Sequence, residues 1–317
     1  MQSHATPILY GLLFVDKRRR KHANIRGGGD PLDIYLRCAI LCARSVAHHG
    51  YKFRLVTNDR LCVERRIHEL GLDEIDLFEQ AFSLSVPDHL PFWAAHRKLE
   101  LYRFAGSGRL GEQLGIIDID TVMISAIDFP SIAPGSMLAY DITNQVISEF
   151  GYEKVLADLQ RVSGKRLSEC RWFGGEFLFG HAESFQRLAE TVFRLWPSYI
   201  EHVNQLHHMG DEVLLSAAIP SADLSVMDAG QLGFIARWWT ARTNFKQVAL
   251  DIALKQSILH LPSDKRFLAK FADTGFRPNE FIARFKRAAR GKLFRRRVFN
   301  VTEMLLYGKK KYVARLS

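Results

Sequence analysis

Two carboxylates lie two residues apart in the apolar stretch GIIDIDTVMI, residues 115–124. In a β-strand, Asp118 and Asp120 would project from the same face, with Ile119 pointing the other way. Like charges so placed repel each other unless a proton or a cation lies between them. Oxygen ligands suit Mn²⁺ or Mg²⁺, ions that often bridge protein carboxylates and substrate phosphates. The pair therefore predicts a divalent-cation site, the alternative being two solvated aspartates at the end of a strand.

Three further side chains could take part in the same chemistry. His260, in ILHLPSDKRF, could add an imidazole to the two carboxylates, and Mn²⁺ accepts such a mixed ligand set. Its alternative is a hydrogen-bonded histidine at a strand end. Asp211 and Glu212 begin a predicted helix in GDEVLLSAAI, where acids favour the helix dipole without any catalytic role. Glu176, which follows the glycine pair of WFGGEFLFG, is a weaker rival for a functional carboxylate.

The elements that must position these residues alternate between strand and helix through residues 7–124. The order predicts an α/β fold with a mainly parallel, mixed sheet flanked by helices. Ligands bind at the carboxyl ends of the strands in such sheets, and the Asp118–Asp120 pair is predicted to lie there. Further strands are predicted at SMLAYDI and WFGGEFLFG, followed by helices over residues 182–202 and from residue 211.

The charge of the chain is concentrated near its end. Residues 284–317 contain 12 Lys or Arg side chains and one acid, whereas the whole chain of 317 residues has a net charge of +10. We therefore predict a globular domain over residues 1–283 and a basic extension over residues 284–317. Basic residues interleaved with Phe281, Phe285, Leu293, Phe294 and Val298 are typical of a helix lying on an anionic membrane. Nucleic acid is the alternative partner. No nucleic-acid-binding motif supports it, so we expect no nucleic-acid partner.

Composition favours a cytoplasmic protein. Four cysteines without a CxxC pair indicate buried thiols in a reduced compartment. The apolar stretch near the start precedes its basic run, the reverse of a signal peptide, and no run reaches the roughly 18–20 apolar residues of a membrane span. We expect a cytoplasmic chain that is peripheral on the inner face of the membrane. His48, His49, His207 and His208 are predicted to lie on the surface.

The motifs together resemble those of the GT-A nucleotide-sugar glycosyltransferases, most closely the retaining enzymes of the glycogenin and bacterial galactosyltransferase kind. The resemblance covers the D-x-D strand end, Lys98 on the preceding helix, WFGGEFLFG and ILHLPSDKRF. Gly174 stands where that family has asparagine in its F-N-x-G-V-L-L strand. His260 and Lys265 are five residues apart rather than the family's six, and no Pro-Trp pair follows them.

The resemblance implies a GT-A fold and a role for each matched residue. Asp118, Asp120 and His260 would bind Mn²⁺ or Mg²⁺. Asp211 and Glu212 fall on the family's D-Q-x-x-L-N element, which faces the sugar. Asp211 would bind sugar hydroxyls, and Glu212 would stabilise positive charge at the anomeric carbon or attack it. The nucleotide sugar would be bound by a further set: Asp16, Asp59, Lys98, Asp118, Gly174, Gly175 and Lys265. Asp16 and Asp59 could instead be turn residues with local hydrogen bonds.

The reaction that the resemblance implies is metal-dependent transfer of a sugar from a nucleoside diphosphate, UDP by preference, to a hydroxyl, with retention at the anomeric carbon. Membrane contact would point to a cell-envelope or lipid-linked glycan as the acceptor. Two other functions stay open on the sequence. The first is a non-catalytic nucleotide-binding scaffold of the same fold, and the second is a basic nucleic-acid-binding protein.

Overall fold

The computed structural model describes residues 7–16, 25, 28–240 and 247–292. The chain divides into two units, residues 1–276 and 277–317. This division falls seven residues before the boundary that the charge pattern predicts. The candidate residues, from Asp16 to Lys265, all belong to the first unit.

Two sheets organise the first unit. The strands described are β1 (Ile8–Leu13), β2 (Lys52–Thr57), β3 (Leu77–Glu79), β4 (Gln113–Ile117), β5 (Thr121–Met123), β6 (Ser136–Asp141), β7 (Phe173–His181), β8 (Ser225–Asp228), β9 (Ile235–Arg237) and β10 (Ile258–His260). The larger sheet has the order β3-β2-β1-β4-β7-β6-β8, and the smaller one has the order β5-β10-β9. In the larger sheet only the pairs that β7 makes with β4 and β6 are antiparallel. The predicted mixed, mainly parallel sheet is confirmed.

Helices flank this sheet. Those described in the first unit are α1 (Pro31–His48), α2 (Arg60–Glu69), α3 (Lys98–Gly106), α4 (Thr143–Phe150), α5 (Tyr152–Ser163), α6 (Ala182–His202), α7 (Asp211–Ser221), α8 (Leu250–Ala253) and α9 (Lys265–Ala269). Local sequence determines where α1 begins, because Asp30 accepts a hydrogen bond from the Leu32 N–H and Pro31 occupies the first turn. Helices α4 and α5 were not predicted from the sequence. Packing fixes the helices that carry candidate residues. Helix α9 packs against α1, which also packs against β5, and α3 packs against α6.

The chain changes sheets at the D-x-D motif, where the sequence predicts one continuous strand. Strand β4 ends at Ile117, and Asp118 to Asp120 form a turn in which the Thr121 N–H donates to the Asp118 carbonyl over 3.2 Å. Strand β5 then pairs with β10 in the smaller sheet, with Thr121 opposite His260. The stretch is therefore two short strands and not one, and the aspartates follow the carboxyl end of β4, as predicted. The turn brings both carboxylates to β10 because the next residues pair with that strand.

The second unit begins with a helix over residues 278–292. On this helix Glu280 pairs with Arg284, and the rings of Phe281 and Phe285 stack with centroids 6.1 Å apart. Both rings are buried, so they do not offer the exposed apolar face that the membrane prediction assigns to them. Leu293, Phe294 and Val298 lie outside the described residues. Within the described part of the chain, no helix is both long and apolar enough to cross a bilayer.

Candidate metal and donor site

Asp118, Asp120 and His260 come together where the two sheets meet. His260 Nε2 lies 3.3 Å from Asp120 Oδ1 and 3.8 Å from Asp118 Oδ2. One ligand atom from each residue lies within 4.8 Å of the others, so the three could hold a metal ion. Asp120 and His260 are buried, whereas the Asp118 side chain is 27% exposed and gives the group an opening to solvent.

The charge states of the three groups depend on their buried surroundings. Burial raises the pKa of Asp118 above the usual range of an aspartate, and Lys98 opposes that rise. Burial would do the same at Asp120, but the cations Lys265 and His260 hold its pKa well below the usual range. Burial disfavours the imidazolium of His260, yet the neighbouring carboxylates raise its pKa to about 9. Because a ligating histidine must be neutral, a cation bound here would displace a proton from His260.

Lys98, predicted from its place on the helix before the D-x-D, reaches this group from the start of α3. Its Nζ lies 3.0 Å from Asp118 Oδ1 and 2.8 Å from Asp211 Oδ2, and it donates to the Gly175 carbonyl over 2.9 Å. Burial disfavours the ammonium, but the two carboxylates raise the pKa of Lys98 well above its usual value. The lysine is therefore a fixed positive charge next to Asp118.

Lys265 supplies the second ammonium, although its spacing from His260 is shorter than the family pattern. It stands at the first residue of α9, pairs with Asp120 Oδ2 and donates to the Pro262 carbonyl over 3.0 Å. The ring of Tyr35 on α1 lies under its Nζ at 5.7 Å, a cation–π distance. Packing of α9 on α1 thus fixes the lysine beside the D-x-D turn.

Arg237 is a site residue that the sequence reasoning missed. It lies on β9, where it is paired in register with His260 on β10. Its guanidinium binds Glu176, with Nε 2.7 Å from Oε1, and also contacts Oε1 of Glu212. A signal was present in the sequence, since IARWW places one arginine inside an apolar run. An arginine in a buried strand needs a charged partner.

The glycine pair of β7 leaves room for two ion pairs. A Cβ on Gly174 would lie 2.1 Å from Glu176 Oε2 and 2.9 Å from a terminal nitrogen of Arg237. A Cβ on Gly175 would lie 2.5 Å from Asp211 Oδ2 and 2.8 Å from Lys98 Nζ. An asparagine at position 174, as in the family pattern, would meet the Arg237–Glu176 pair. This chain has glycine at that position, and the charged pair occupies the space that the asparagine side chain would fill.

Asp211 and Glu212 begin α7, as predicted, and both are held by other side chains. Asp211 pairs with Lys98, whereas Glu212 pairs with Arg237 and accepts a hydrogen bond from Trp172 Nε1 over 3.0 Å. Burial would raise the pKa of Glu212, but Arg237 lowers it below the usual range. Glu212 is therefore a fixed carboxylate anion. Glu176 is fully buried and lies 3.2 Å from His260 Nδ1.

The remaining predicted positions lie at the carboxyl ends of neighbouring strands. Asp16 follows β1, which pairs with β4, and Asp59 follows β2, which pairs with β1. Asp59 caps α2 by accepting a hydrogen bond from the Cys62 N–H over 3.0 Å, which is the local role left open above. The surface prediction for His207 is wrong. Its side chain is 1% exposed and pairs with Asp158 at 2.6 Å, because the loop before α7 folds back onto α5.

The charges of the site fit one divalent cation. The carboxylates are Asp118, Asp120, Asp211, Glu176 and Glu212, and the fixed cations are Lys98, Lys265 and Arg237. With a neutral His260 their formal charge is −2, which one Mn²⁺ or Mg²⁺ would balance. The mixed oxygen and nitrogen ligand set also suits Mn²⁺.

Comparisons with known proteins give the same fold. No protein-family model matches the chain, and no curated protein matches it in sequence. Among solved structures, it is similar to the apo structure of WbbM, a bifunctional glycosyltransferase, with a TM-score of 0.51 and 10% sequence identity. The match covers 89% of this chain and 52% of that one, so this chain spans about half the length of its structural neighbour. The chain therefore has the fold of a glycosyltransferase.

Proposed function

We propose that this chain is a metal-dependent glycosyltransferase of the retaining GT-A kind. It transfers a sugar from a nucleoside diphosphate, UDP in the first instance, to a hydroxyl of a glycan acceptor. The observation that carries the proposal is the convergence of Asp118, Asp120 and His260 beside two fixed lysines, on a glycosyltransferase fold. A nucleotide-binding site without a metal would not need this set of ligands.

The chemistry requires stabilisation of negative charge on the leaving group. The bond between the anomeric carbon and the phosphate oxygen breaks, and the nucleoside diphosphate departs with the electron pair. Asp118, Asp120 and His260 would hold the divalent cation, which supplies Lewis-acid stabilisation of the departing phosphate. Lys98 and Lys265 add positive charge beside it, and both ammonium groups are already oriented by the pairs described above.

The carboxylates at the start of α7 would act on the sugar side. Asp211, oriented by Lys98, would accept hydrogen bonds from sugar hydroxyls. Glu212, kept ionised by Arg237, would stabilise the positive charge that develops at the anomeric carbon. Gly174 and Gly175 keep the β7 backbone close to these groups. Asp16 and Asp59 lie at strand ends where the base and ribose would be bound.

The acceptor is proposed to be a cell-envelope or lipid-linked glycan at the inner face of the membrane. Residues 284–317 carry 12 cationic side chains, each contributing about 1 kcal/mol near an anionic leaflet. On the described helix Arg284, Arg287 and Arg290 are exposed. The protein should co-sediment with phosphatidylglycerol vesicles but not with phosphatidylcholine vesicles. Equal recovery with both would refute membrane docking by charge.

Calorimetric titration tests the donor site directly. UDP, GDP, ADP and CMP would each be titrated with and without Mn²⁺ into the wild type, Asp120→Ala and Asp76→Ala. Asp76 is a matched control because it pairs with Arg54 at an exposed position. We expect Mn²⁺-dependent binding of one nucleotide, lost in Asp120→Ala and kept in Asp76→Ala. If none of the four binds, with or without Mn²⁺, the proposal fails.

Turnover separates an enzyme from a scaffold of the same fold. An active enzyme should slowly hydrolyse the donor that matches the nucleotide bound, and Mn²⁺ should be required. Metal-dependent nucleotide binding without hydrolysis or transfer to any glycan acceptor would favour the scaffold. Binding to RNA that needs no metal and falls steeply with salt would favour the nucleic-acid-binding protein.

A further inference from the structure

Glu176 makes contacts that distinguish it from the other carboxylates of the site. It is fully buried on β7, and its Oε1 lies 3.2 Å from Nδ1 of His260. The other ring nitrogen, Nε2, is the one that lies 3.3 Å from Asp120 and 3.8 Å from Asp118. The imidazole therefore stands between Glu176 on one side and the D-x-D carboxylates on the other.

The backbone fixes this arrangement from three strands. The Asp118 N–H donates to the Glu176 carbonyl over 3.0 Å, so β7 meets the chain where β4 ends. His260 and Arg237 are partners in the parallel β10–β9 pair. The side chain of Arg237 spans from β9 to Glu176, and its own backbone N–H donates to the Tyr140 hydroxyl over 3.1 Å. A shift of any one strand would separate the three side chains.

The guanidinium of Arg237 explains how a carboxylate stays charged at a fully buried position. An unpaired buried anion would take up a proton, since burial disfavours charge. Both oxygens of Glu176 contact Arg237, in the fork geometry that arginine gives with carboxylates. Glu176 is thus held as an anion of fixed orientation, and its Oε1, which is bonded to Arg237, also lies 3.2 Å from Nδ1 of the imidazole.

We propose that Glu176 and Arg237 are positioning residues for the metal site, which orient His260 so that Nε2 faces Asp118 and Asp120. This inference rests on the proposed function, because it assumes that the group binds a divalent cation. When a cation displaces the proton from Nε2, the carboxylate beside Nδ1 would hold the neutral tautomer that carries its proton there, which leaves the lone pair on Nε2 for the metal. Glu176 then acts through His260 and contacts neither the sugar nor the leaving group.

The two glutamates that share Arg237 have different roles in this proposal. Glu212 contacts the same guanidinium but pairs on its other side with Trp172, and His260 is not among its partners in the contacts described. Loss of the Glu212 charge should leave the imidazole oriented, whereas loss of the Glu176 charge should not. Glu212→Gln is thus a matched control for Glu176→Gln, since both remove one carboxylate charge from Arg237.

The experiment measures Mn²⁺ binding rather than activity. Mn²⁺ would be titrated into the full chain as wild type, Glu176→Gln, Glu212→Gln and His260→Ala, with folding checked by circular dichroism. Outer-shell partners of metal ligands typically contribute 10–100-fold in affinity, so Glu176→Gln should bind Mn²⁺ about 10–100-fold more weakly. Glu212→Gln removes the same charge from the group, but it should lose less Mn²⁺ affinity than Glu176→Gln and keep the wild-type ¹⁴N coupling of His260. Pulsed electron paramagnetic resonance should show the ¹⁴N coupling of His260 altered in Glu176→Gln and absent in His260→Ala.

Each outcome decides the inference. Wild-type affinity and unchanged ¹⁴N coupling in Glu176→Gln would overturn it while the proposed function stands. Absence of Mn²⁺ binding in the wild type would overturn both. If Glu176→Gln does not fold, Arg237→Lys decides, because an ammonium keeps the charge but cannot form the fork. A weaker affinity with altered coupling supports the inference, and wild-type values of both overturn it.

Discussion

Gly174→Ala is the smallest change that tests the packing of the site. The new Cβ would lie 2.1 Å from Glu176 Oε2 and 2.9 Å from a terminal nitrogen of Arg237, both far inside normal contact. The glycine has no positive φ, so the added methyl group acts through steric contact and not through backbone strain. The two side chains cannot swing into solvent, because both are buried.

The expected loss of stability in Gly174→Ala follows from the side chains that the new methyl group displaces. Overpacking a buried position typically costs about 1–3 kcal/mol. If the methyl group also separates the Arg237–Glu176 pair, the cost approaches the ~3–5 kcal/mol of a broken buried ion pair. For a domain of this size each kcal/mol lowers Tm by roughly 2–4 °C. We therefore expect Gly174→Ala to lower Tm by roughly 4–12 °C, taking a loss of about 2–3 kcal/mol.

The assay pairs this variant with a glycine on the same strand. At Gly180 a Cβ would lie 3.3 Å from the Met137 Cβ and 3.4 Å from the Ser136 carbonyl, so small shifts suffice. Gly180→Ala should change the free energy of unfolding by less than about 1 kcal/mol, since the tight contact offsets the usual gain from replacing glycine. Urea denaturation and calorimetric Mn²⁺ titration would be run on both variants. Only Gly174→Ala should lose stability and Mn²⁺ affinity together.

Equal stability of the two alanine variants would refute the reasoning. It would mean that the space next to Gly174 is not filled by the charged pair. If Gly174→Ala loses stability but keeps its Mn²⁺ affinity, the packing argument stands. The argument that Glu176 affects metal binding through His260 would then be wrong.

Three other predictions concern different parts of the same unit. Lys98→Met leaves the buried Asp211 and the partly exposed Asp118 without their shared ammonium and should cost about 3–5 kcal/mol by urea denaturation. Arg187→Met, which breaks an exposed i,i+4 pair, should cost less than about 1 kcal/mol, and equal losses would contradict the burial argument. Burial lowers the pKa of His96 from 6.5 to about 4, so stability should fall as pH drops from about 6.5 to 4, by roughly 3 kcal/mol. Urea titrations across that window should show the slope in the wild type and less of it in His96→Phe. A maleimide should label Cys62 first in the native protein, and early labelling of a buried thiol, Cys38, Cys42 or Cys170, would contradict the structure.

Local sequence predicted most elements of the first unit. Apolar runs and helix-start signals gave the order of β1, α1, β2, α2 and β3, and the span of α6 agrees with the prediction at both ends. These signals are local, since a strand or helix shows its periodicity within a few turns of chain. The missed helices α4 and α5, of 8 and 12 residues, were not separated from the loop before β7. Residue type and spacing singled out Asp118 and Asp120 as a possible metal group, and the family resemblance added His260 to it.

The break of the D-x-D strand could not be predicted locally. GIIDIDTVMI reads as one strand because apolar residues continue on both sides of the aspartates. The chain turns at Asp118 because Thr121 to Met123 pair with β10, which lies more than 130 residues further along the sequence. Pairing over such a separation depends on the whole fold, and local periodicity contains no information about it.

The sequence by itself determined the class of fold, the chemical types in the site and the concentration of positive charge after residue 283. These follow from composition and short-range pattern, which each segment carries alone. The tertiary structure decided which charges meet: Lys98 with Asp211, Lys265 with Asp120, and Arg237 with both glutamates. A buried charge is stable only beside an opposite one, and that partner is set by the packing of distant strands and helices. The role of Glu176 could therefore be inferred only after β7, β9 and β10 were placed together.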